Sequence, residues 1–355
     1  MDRPNPPPWW LGEEWGRYAI SVIHEGAEVN PQISVVIASY ERPDLLLRCV
    51  DALLRQTLSA HRFEIVVVDD GSSREARERT MAKLATRRRL HRAPTLRFLW
   101  LPMNRGPAAA RNHGILAARG DVIAFTDDDT VPCPDWLAAG LAAIATGADA
   151  VAGRVDVPLP PVPTDYERDA ARRSHGGLDA ANCFVRRSLL AAIGGFDERF
   201  RYAGREDTDL GFRLRASGAR VHAARDARVV HPVRPARWGA SLAQQRKLMF
   251  DALLYKKFPR SYRRYVKPHP PWNDYVAVAA GTCGIVNAGA GHGLLAVVSL
   301  VAWLGISVAV TRRRLAHTSH AVRHVADIVV TSLLIPWLSV YWRTRGALHF
   351  RVPFA

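Results

Sequence analysis

The stretch Val122-Ile123-Ala124-Phe125-Thr126-Asp127-Asp128-Asp129 decides the fold prediction, because a short apolar run ends there in three adjacent carboxylates. Such a run is typical of a buried strand, and open α/β sheets bind their ligands at the carboxyl ends of their strands. Three neighbouring acids repel one another unless a cation lies between them. A hard divalent ion such as Mg²⁺ or Mn²⁺ takes carboxylate and phosphate oxygens together. The stretch therefore predicts a metal–diphosphate site, and an acidic turn that caps the next helix is the alternative.

Two earlier apolar runs also end in polar residues. Residues 33–39 precede Tyr40-Glu41-Arg42-Pro43, and residues 63–68 precede Asp69-Asp70-Gly71-Ser72-Ser73. Further strands are expected over 95–101 and 121–126, and helices over 74–90 and 106–118. Strands that alternate with helices predict a parallel, doubly wound sheet with its polar residues at the strand ends.

The charge of the chain narrows the class of partner. Its 355 residues carry a formal net charge of +16, which suits nucleic acid, an anionic membrane surface or phosphorylated substrates. No zinc-finger spacing or RNA-binding aromatic motif accompanies the arginines, so no nucleic-acid partner is expected. The four cysteines form no CxxC pair and predict reduced thiols in a cytoplasm-facing domain. The N-terminus lacks a basic start followed by an apolar core, so no signal peptide is expected.

The C-terminal part of the chain is apolar. Residues 275–310 contain no Lys, Arg, Asp or Glu and break once, at Gly291-His292-Gly293. This length suits two short membrane spans or one long tilted span, and a buried helical hairpin is the soluble alternative. A hairpin would return Arg312-Arg313-Arg314 to the cytoplasmic side. A second apolar block, 325–342, is followed by three arginines that a third span would export, so a re-entrant or interfacial position is the alternative.

Six ordered motifs resemble those of the family-2, GT-A-fold glycosyltransferases. They lie at residues 35–43, 66–72, 104–112, 127–129, 194–197 and 204–210. The resemblance covers residues 33 to about 235. It implies an α/β fold with a GT-A doubly wound mixed sheet, a Rossmann-like nucleotide-binding half and a helical, membrane-associated C-terminal segment. The expected parts are an N-terminal arm (1–30), a nucleotide-sugar half (31–150), an acceptor half (151–240), linker or interfacial helices (241–274) and a hydrophobic membrane segment (275–355).

The resemblance implies a donor site at the strand ends. Family members use the Asp-Asp-Gly-Ser loop for the nucleotide base, which assigns Asp69 and Asp70 to this role, and helix capping by Asp70 and Ser72 is the alternative. The loop from Ala38 to Glu41 should wall the same pocket, with Tyr40 either stacked on the base or packed in the core. The donor-binding candidates are Ala38, Tyr40, Glu41, Asp69, Asp70, Arg111, Asp127 and Asp128.

The acidic triplet matches the DXD motif of the family. Asp129 is expected to bind Mn²⁺ or Mg²⁺, and Asp127 to meet the metal or the ribose. The ion would act as a Lewis acid on the leaving diphosphate. His231 aligns with a histidine that some members use as an extra metal or diphosphate ligand, and a structural role is the alternative.

The motif at 204–210 is expected to carry the catalytic base. An inverting transfer needs one carboxylate to take the proton of the acceptor hydroxyl, and the family pattern favours Asp207. A helix N-terminal acid stabilised by the helix dipole is the alternative. Glu206 and Asn182 are candidates for acceptor contacts. Arg111 is open between phosphate binding and a salt bridge within the fold.

The sequence thus predicts an inverting, metal-dependent glycosyltransferase that moves one sugar from a nucleotide-diphosphate sugar to a lipid-linked or envelope-glycan acceptor at the cytoplasmic membrane face. UDP is the default nucleotide, and dTDP and GDP are the alternatives. Gln244-Gln245-Arg246-Lys247 and Arg237-Trp238 do not match the Gln-X-X-Arg-Trp motif of processive synthases, which favours a single transfer. A soluble peptide, metabolite or glycan acceptor stays open, as does a nucleotide-sugar-binding scaffold without catalysis.

Overall fold

The computed structural model describes residues 20–24, 30–87, 93–173 and 178–354. Most of the predicted N-terminal arm, the end of the predicted helix 74–90 and the Gly176-Gly177 pair lie outside the described residues. The chain divides into two compact units. The sheet unit comprises Met1–Pro158 and Ser174–Pro232, and the helical unit comprises Leu159–Arg173 and Val233–Ala355. Residues 159–173 therefore belong with the C-terminal helices, whereas the sequence placed them in the acceptor half.

A mixed sheet forms the centre of the sheet unit. Within the described residues its strands are β1 Ile20–His24, β2 Ile33–Ser39, β3 Phe63–Asp69, β4 Thr95–Trp100, β5 Val122–Asp127, β6 Val131–Pro132, β7 Ala150–Asp156, β8 Asn182–Arg186 and β9 Val221–Val230. The strand order is β1-β4-β3-β2-β5-β8-β7-β9-β6. The four strands β4, β3, β2 and β5 are parallel, whereas β8 runs antiparallel to β5 and β7. The expected doubly wound mixed sheet is confirmed.

The helices surround this sheet or build the helical unit. They are α1 Pro43–Leu53, α2 Arg74–Arg87, α3 Pro107–Ala117, α4 Trp136–Ala145, α5 Asp165–Arg173, α6 Arg187–Ile193, α7 Glu206–Ala216, α8 Ala240–Gln244, α9 Met249–Lys257, α10 Pro259–Tyr265, α11 Trp272–Gly289, α12 Gly293–Leu315 and α13 Val322–Phe350. Helices α5 and α8 to α13 belong to the helical unit.

Helices cover both faces of the central strands. Val35 and Ile37 of β2 join one buried apolar cluster, and Val36 between them joins the other. A strand that is buried on both faces carries apolar side chains at consecutive positions, which explains the apolar runs. Helix α1 begins at Pro43. Proline suits this position because a backbone N–H in the first turn would have no acceptor within the helix. The leucine face of α1 is buried against the sheet.

The register of the strands brings the polar loops together. Ser39 pairs with Asp69 across β2 and β3, and Ala38 pairs with Asp127 across β2 and β5. Farther along the chain, Val131 of β6 pairs with Val230 of β9 in antiparallel register. That last pair brings the residues just before β6 beside those just after β9.

The helical unit contains an antiparallel hairpin and a long third helix. Gly281 of α11 lies against Trp303 of α12, and the turn between these helices falls at the predicted glycine break. Helix α13 runs through Pro336 without interruption. Helices α12 and α13 are the two described helices long and apolar enough to cross a membrane. The predicted block 275–310 forms most of α11 and α12, of which only α12 meets these criteria, and the predicted block 325–342 lies within α13.

Candidate active site

A candidate metal site lies where β5 and β9 end. Asp127, Asp129 and His231 each offer one ligand atom, and these atoms lie within 4.8 Å of one another. His231 Nε2 is 3.1 Å from Asp129 Oδ1. The β6–β9 pairing explains this meeting of residues that are distant in the sequence, because it joins the segments that follow Asp129 and precede His231.

The donor atoms of this cluster fit a divalent cation. Two carboxylates and an imidazole supply oxygen and nitrogen ligands, and the imidazole must be deprotonated to bind a metal. Burial lowers the pKa of His231, but its hydrogen bond to Asp129 and the charges of Asp129 and Asp127 together raise that pKa to about 9. A proton therefore occupies His231 at neutral pH when no cation competes for it.

Asp128, the middle acid of the triplet, faces a different set of partners. It is buried and accepts hydrogen bonds from Ser39 Oγ at 2.8 Å and Arg42 Nη1 at 3.1 Å. Burial raises the pKa of Asp128 to about 6. Arg42 also lies 3.9 Å from Asp129, so it is a cation of the site that the sequence analysis did not single out. The sequence signal for this role was the position of Arg42 in the loop that follows β2.

Arg111 of α3 joins two parts of the site. Its Nη2 lies 2.7 Å from Asp127 Oδ1, and its Nη1 lies 3.0 Å from Glu206 Oε1. Arg111 and Glu206 are both buried. Of the two roles that the sequence left open for Arg111, the structure therefore shows the salt bridge, and this bridge ties the strand-end acids to the start of α7.

The loops after β2 and β3 are bonded to each other and to the segment before α3. Asp69 accepts hydrogen bonds from the backbone N–H and hydroxyl of Ser72, and Asp70 accepts from the backbone N–H groups of Arg105 and Gly106 at 2.9 and 2.8 Å. Burial raises the pKa of Asp70 to about 6.

The loop from Ala38 to Glu41 shapes the outer side of this region. Glu41 accepts hydrogen bonds from the backbone N–H and hydroxyl of Ser73. The side chain of Tyr40 is 44% exposed, so it is not part of the core. Ala38 is half-buried beside Asp127. A flat ligand group has access to the tyrosine ring but not to the interior of the sheet.

Asp207 lies in the first turn of α7 and is half-buried. Its Oδ1 accepts a hydrogen bond from the backbone N–H of Thr208 at 2.6 Å. Burial, followed by the negative charges of Glu206 and Asp179, raises the pKa of Asp207 to about 7. A carboxylate with such a pKa can take up and release a proton near neutral pH.

Asp179 is an acid of the site that the sequence analysis did not assign. Its charge acts on both Asp207 and His231, and the charge of Asp127 acts on it in turn. Asp179 therefore belongs to the same electrostatic group as the candidate metal ligands and Asp207. Its place in the site follows from the strand order, because the loop that carries Asp179 leads into β8, the neighbour of β5.

The two acceptor candidates are occupied within the fold. Asn182 is fully buried, accepts a hydrogen bond from Trp136 Nε1 and donates to the carbonyls of Arg154 and Ala227. Glu206 accepts hydrogen bonds from the backbone N–H groups of Gly204 and Arg205 besides its pair with Arg111. These contacts orient the loops around the site and leave Asn182 no free donor for an acceptor.

Comparison with known families identifies the chain. The family model described as Glycosyl transferase family 2 matches residues 34–199, and the one described as Glycosyl transferase family group 2 matches residues 179–343. The chain belongs to glycosyl transferase family 2. The family predicted from the motifs is confirmed, and the glycosyltransferase class of this family agrees with the predicted enzyme class.

Individual relatives agree with this assignment. The O-antigen biosynthesis protein RfbC of Myxococcus xanthus is 27% identical over 286 residues, which are 72% of this chain and 21% of that protein. Glycosyltransferase AglE of Haloferax volcanii is 29% identical over 215 residues, 58% of this chain and 68% of that protein. A mannosyltransferase from Pyrobaculum calidifontis, solved in complex with GDP-Man and Mn²⁺, shares the fold with a TM-score of 0.51 and 19% identity, covering 95% of this chain and 90% of that one.

Proposed function

We propose that this family-2 glycosyltransferase transfers a single sugar, with inversion, from a nucleotide-diphosphate sugar to a lipid-linked or envelope-glycan acceptor at the cytoplasmic membrane face. The observation that carries the proposal is that buried Arg111 joins Asp127, a member of the cluster with Asp129 and His231, to Glu206, the neighbour of Asp207. RfbC, named for O-antigen biosynthesis, supports an envelope acceptor.

The donor is proposed to bind across the ends of β2, β3 and β5. Asp127, Asp129 and His231 would hold Mn²⁺ or Mg²⁺, which supplies Lewis-acid stabilisation of the leaving diphosphate when bound. Tyr40 would stack on the base, and the loops held by Asp69, Asp70 and Glu41 would form the walls. UDP is the default nucleotide. GDP is the alternative that the complex of the Pyrobaculum enzyme supports, and dTDP is a further one.

Asp207 is proposed as the general base. It would take the proton of the acceptor hydroxyl while the hydroxyl oxygen forms a bond to the anomeric carbon. The bond from that carbon to the diphosphate oxygen breaks on the opposite face, so the configuration inverts and the proton ends on Asp207. Its pKa of about 7 suits this role, because the group is largely ionised just above neutral pH.

The membrane part of the proposal rests on the surface of the helical unit. Leu294, Val301 and Leu304 of α12 are 78%, 63% and 52% exposed. A helix that leaves so many large apolar side chains uncovered is expected in lipid or against another apolar surface. Arg312-Arg313-Arg314 follow this apolar stretch, which favours a cytoplasmic position for that end of α12.

Helix α13 is proposed to lie in the interface rather than to span the membrane. Arg343 is fully buried and lies 3.2 Å from Asp251 of α9, which also accepts a hydrogen bond from Tyr262. This ion pair fastens the second half of α13 to polar helices of the helical unit. A helix so fastened follows those helices and does not leave them to cross lipid.

The test is donor turnover by the full-length protein in detergent. A panel of UDP-, GDP- and dTDP-sugars would be offered with Mn²⁺, Mg²⁺ or EDTA, together with polyprenyl-phosphate-linked and soluble acceptors. We expect turnover of one donor that is lost in EDTA and in Asp129→Ala, and kept in the exposed control Asp121→Ala. Turnover that survives both EDTA and Asp129→Ala would refute the metal site, and equal transfer to soluble acceptors would refute the lipid-linked acceptor.

A further inference from the structure

A pocket of about 380 Å³ lies inside the helical unit. Its walls come from the start of α5, the segment that leads into α8, and the turn from α12 to α13. Tyr166, Arg237, Trp238, Arg314, Arg323 and Asp327 are among the lining residues. All of them belong to the helical unit, and none belongs to the site around Asp127 and Asp207.

The acids of this pocket are committed to partners in the protein. Asp165 pairs with Arg314 at 2.9 Å, and Asp327 Oδ1 accepts the backbone N–H of Gly239 at 2.7 Å. Glu167 Oε2 accepts from both the backbone N–H and the hydroxyl of Thr164. Arg314 additionally donates to the hydroxyls of Thr331 and Ser332. The negative charges of the pocket are thus engaged in holding its walls.

Two cations of the same pocket remain available. The guanidinium groups of Arg237 and Arg323 are exposed and have no ion pair or hydrogen bond with any residue that the structure describes. The first turn of α13 also reaches the pocket, and the partial positive charge of a helix N-terminus adds to that of the arginines. Among the charged side chains that line the pocket, these two guanidinium groups are therefore the ones left to bind a ligand.

The position of the pocket relates it to a membrane surface. It adjoins the end of α12 that carries Arg312-Arg313-Arg314, directly after the exposed apolar stretch of that helix. Trp238 at the pocket is 51% exposed, and Tyr166 lines the same pocket. Tryptophan, tyrosine and arginine together are typical of the depth at which lipid headgroups lie.

We propose that this pocket binds the phosphate headgroup of an anionic membrane lipid. Arg237 and Arg323 bind the phosphate oxygens, and Trp238 packs where the headgroup meets the acyl chains. Guanidinium groups suit phosphate because their planar N–H groups match two of its oxygens. The inference rests on the membrane association proposed above, but not on the sugar-transfer reaction.

The test measures lipid binding by the delipidated full-length protein in detergent. Short-chain phosphatidylglycerol, phosphatidylcholine of the same chain length, and inorganic phosphate would each be titrated into the protein. Native mass spectrometry would measure the fraction of protein that carries the added ligand. We expect phosphatidylglycerol to bind preferentially and the double variant Arg237→Gln/Arg323→Gln to bind it about 30-fold more weakly. The matched control Arg260→Gln/Arg264→Gln removes two exposed charges elsewhere on the helical unit and should stay within about twofold of the wild type.

Three outcomes would overturn the proposal. Equal weakening in both double variants would mean that only the general surface charge attracts the lipid. Absence of a preference for phosphatidylglycerol over phosphatidylcholine would refute the proposal that the ligand is an anionic headgroup. Inorganic phosphate that binds as tightly as the lipid would make the pocket a site for a soluble phosphate. Thermal unfolding of each variant would show that the pocket variant is folded.

Flotation with vesicles separates this proposal from the proposed membrane location. Protein that floats with pure phosphatidylcholine vesicles while its pocket variant binds phosphatidylglycerol normally would keep the membrane location and refute the pocket. Protein that does not float with any vesicle would refute the membrane location itself. Neither result bears on the proposed sugar transfer, which the measurement of donor turnover tests separately.

Discussion

Arg111 Nη2 lies 2.7 Å from Asp127 Oδ1, so a residue of α3 holds the first acid of the DXD motif in place. The same guanidinium group binds Glu206, the residue next to Asp207. One buried cation thus links the proposed metal site to the helix that carries the proposed base. Electrostatics around this edge of the sheet depend on Arg111 more than on any exposed arginine, because its charge is shielded least by water.

Arg111→Lys is expected to weaken both ends of this link. A lysine has one compact charged group and cannot match two carboxylates with separate N–H groups. Leaving a buried carboxylate without its partner costs on the order of 2–4 kcal/mol, and turnover should fall at least about tenfold. Thermal unfolding and donor turnover measure the two effects. The control is Arg79→Lys, which alters an exposed pair with Asp44 and should change neither. Wild-type unfolding and turnover in Arg111→Lys would contradict the linking role.

Asp207→Asn is expected to abolish most of the chemistry while leaving the donor site intact. Loss of a positioned general base lowers turnover by roughly 10²–10⁴-fold. Donor affinity and thermal unfolding should stay close to those of the wild type. Asp209→Asn is the matched control in the same turn, because Asp209 is buried and pairs with Arg213. It should lower stability and spare turnover per folded molecule. Asp207→Asn with more than a tenth of the wild-type turnover would exclude Asp207 as the base.

The pH dependence of turnover should follow the ionisation of Asp207. Burial and the neighbouring acids raise its pKa to about 7, and only the ionised form accepts a proton. We therefore expect kcat/KM to rise about tenfold per pH unit below pH 7 and to level off above it. The residual activity of Asp207→Asn should lack this rise. A wild-type profile that is flat between about pH 5.5 and 8.5 would show that the ionisation of Asp207 does not limit the reaction.

Gly106→Ala is expected to disturb the donor loop. Gly106 has φ of 95°, its N–H donates to Asp70, and a Cβ atom there would collide with the carbonyl of Arg201. Backbone strain and collision together should lower the free energy of unfolding by about 2–4 kcal/mol and weaken nucleotide binding. Gly218→Ala is the control, since Gly218 has φ of 78° but open space around it, and it should show the strain alone. Equal effects in both variants would show that the contact with Arg201 is unimportant.

The buried pair Asp251–Arg343 offers a test of how α13 is held. Removing one partner, as in Asp251→Asn, leaves a buried charge and should lower the free energy of unfolding in detergent by about 3–5 kcal/mol. The double variant Asp251→Leu/Arg343→Met should recover most of this loss, because neither charge remains. Additive losses in the double variant would mean that the two residues act independently and do not fasten α13 to α9.

The sequence by itself determined the frame of the sheet unit. Strands predicted at 33–39 and 63–68 appear as β2 and β3 with almost the same limits. Residues 35–38 and 65–68 of these strands are continuously apolar because helices cover both faces, so the pattern can be recognised from the local sequence. The parallel arrangement of consecutive strands then places every strand-end loop at one edge, which is why the acids at 69–70 and 127–129 could be assigned to one site.

The tertiary structure alone decided what each polar side chain does at that edge. Asp128 pairs with Arg42, whereas Asp127 pairs with Arg111 and Asp129 pairs with His231. Asp179 belongs to the site, and the side chain of Asn182 is hydrogen-bonded inside the fold. None of these choices follows from sequence spacing, because the direction of a loop side chain is set by partners that are distant in the chain. For the same reason, the sequence did not predict the buried pair Asp251–Arg343 of α9 and α13. Backbone pattern is a local property, whereas the partner of a buried charge is decided only when the whole chain has packed.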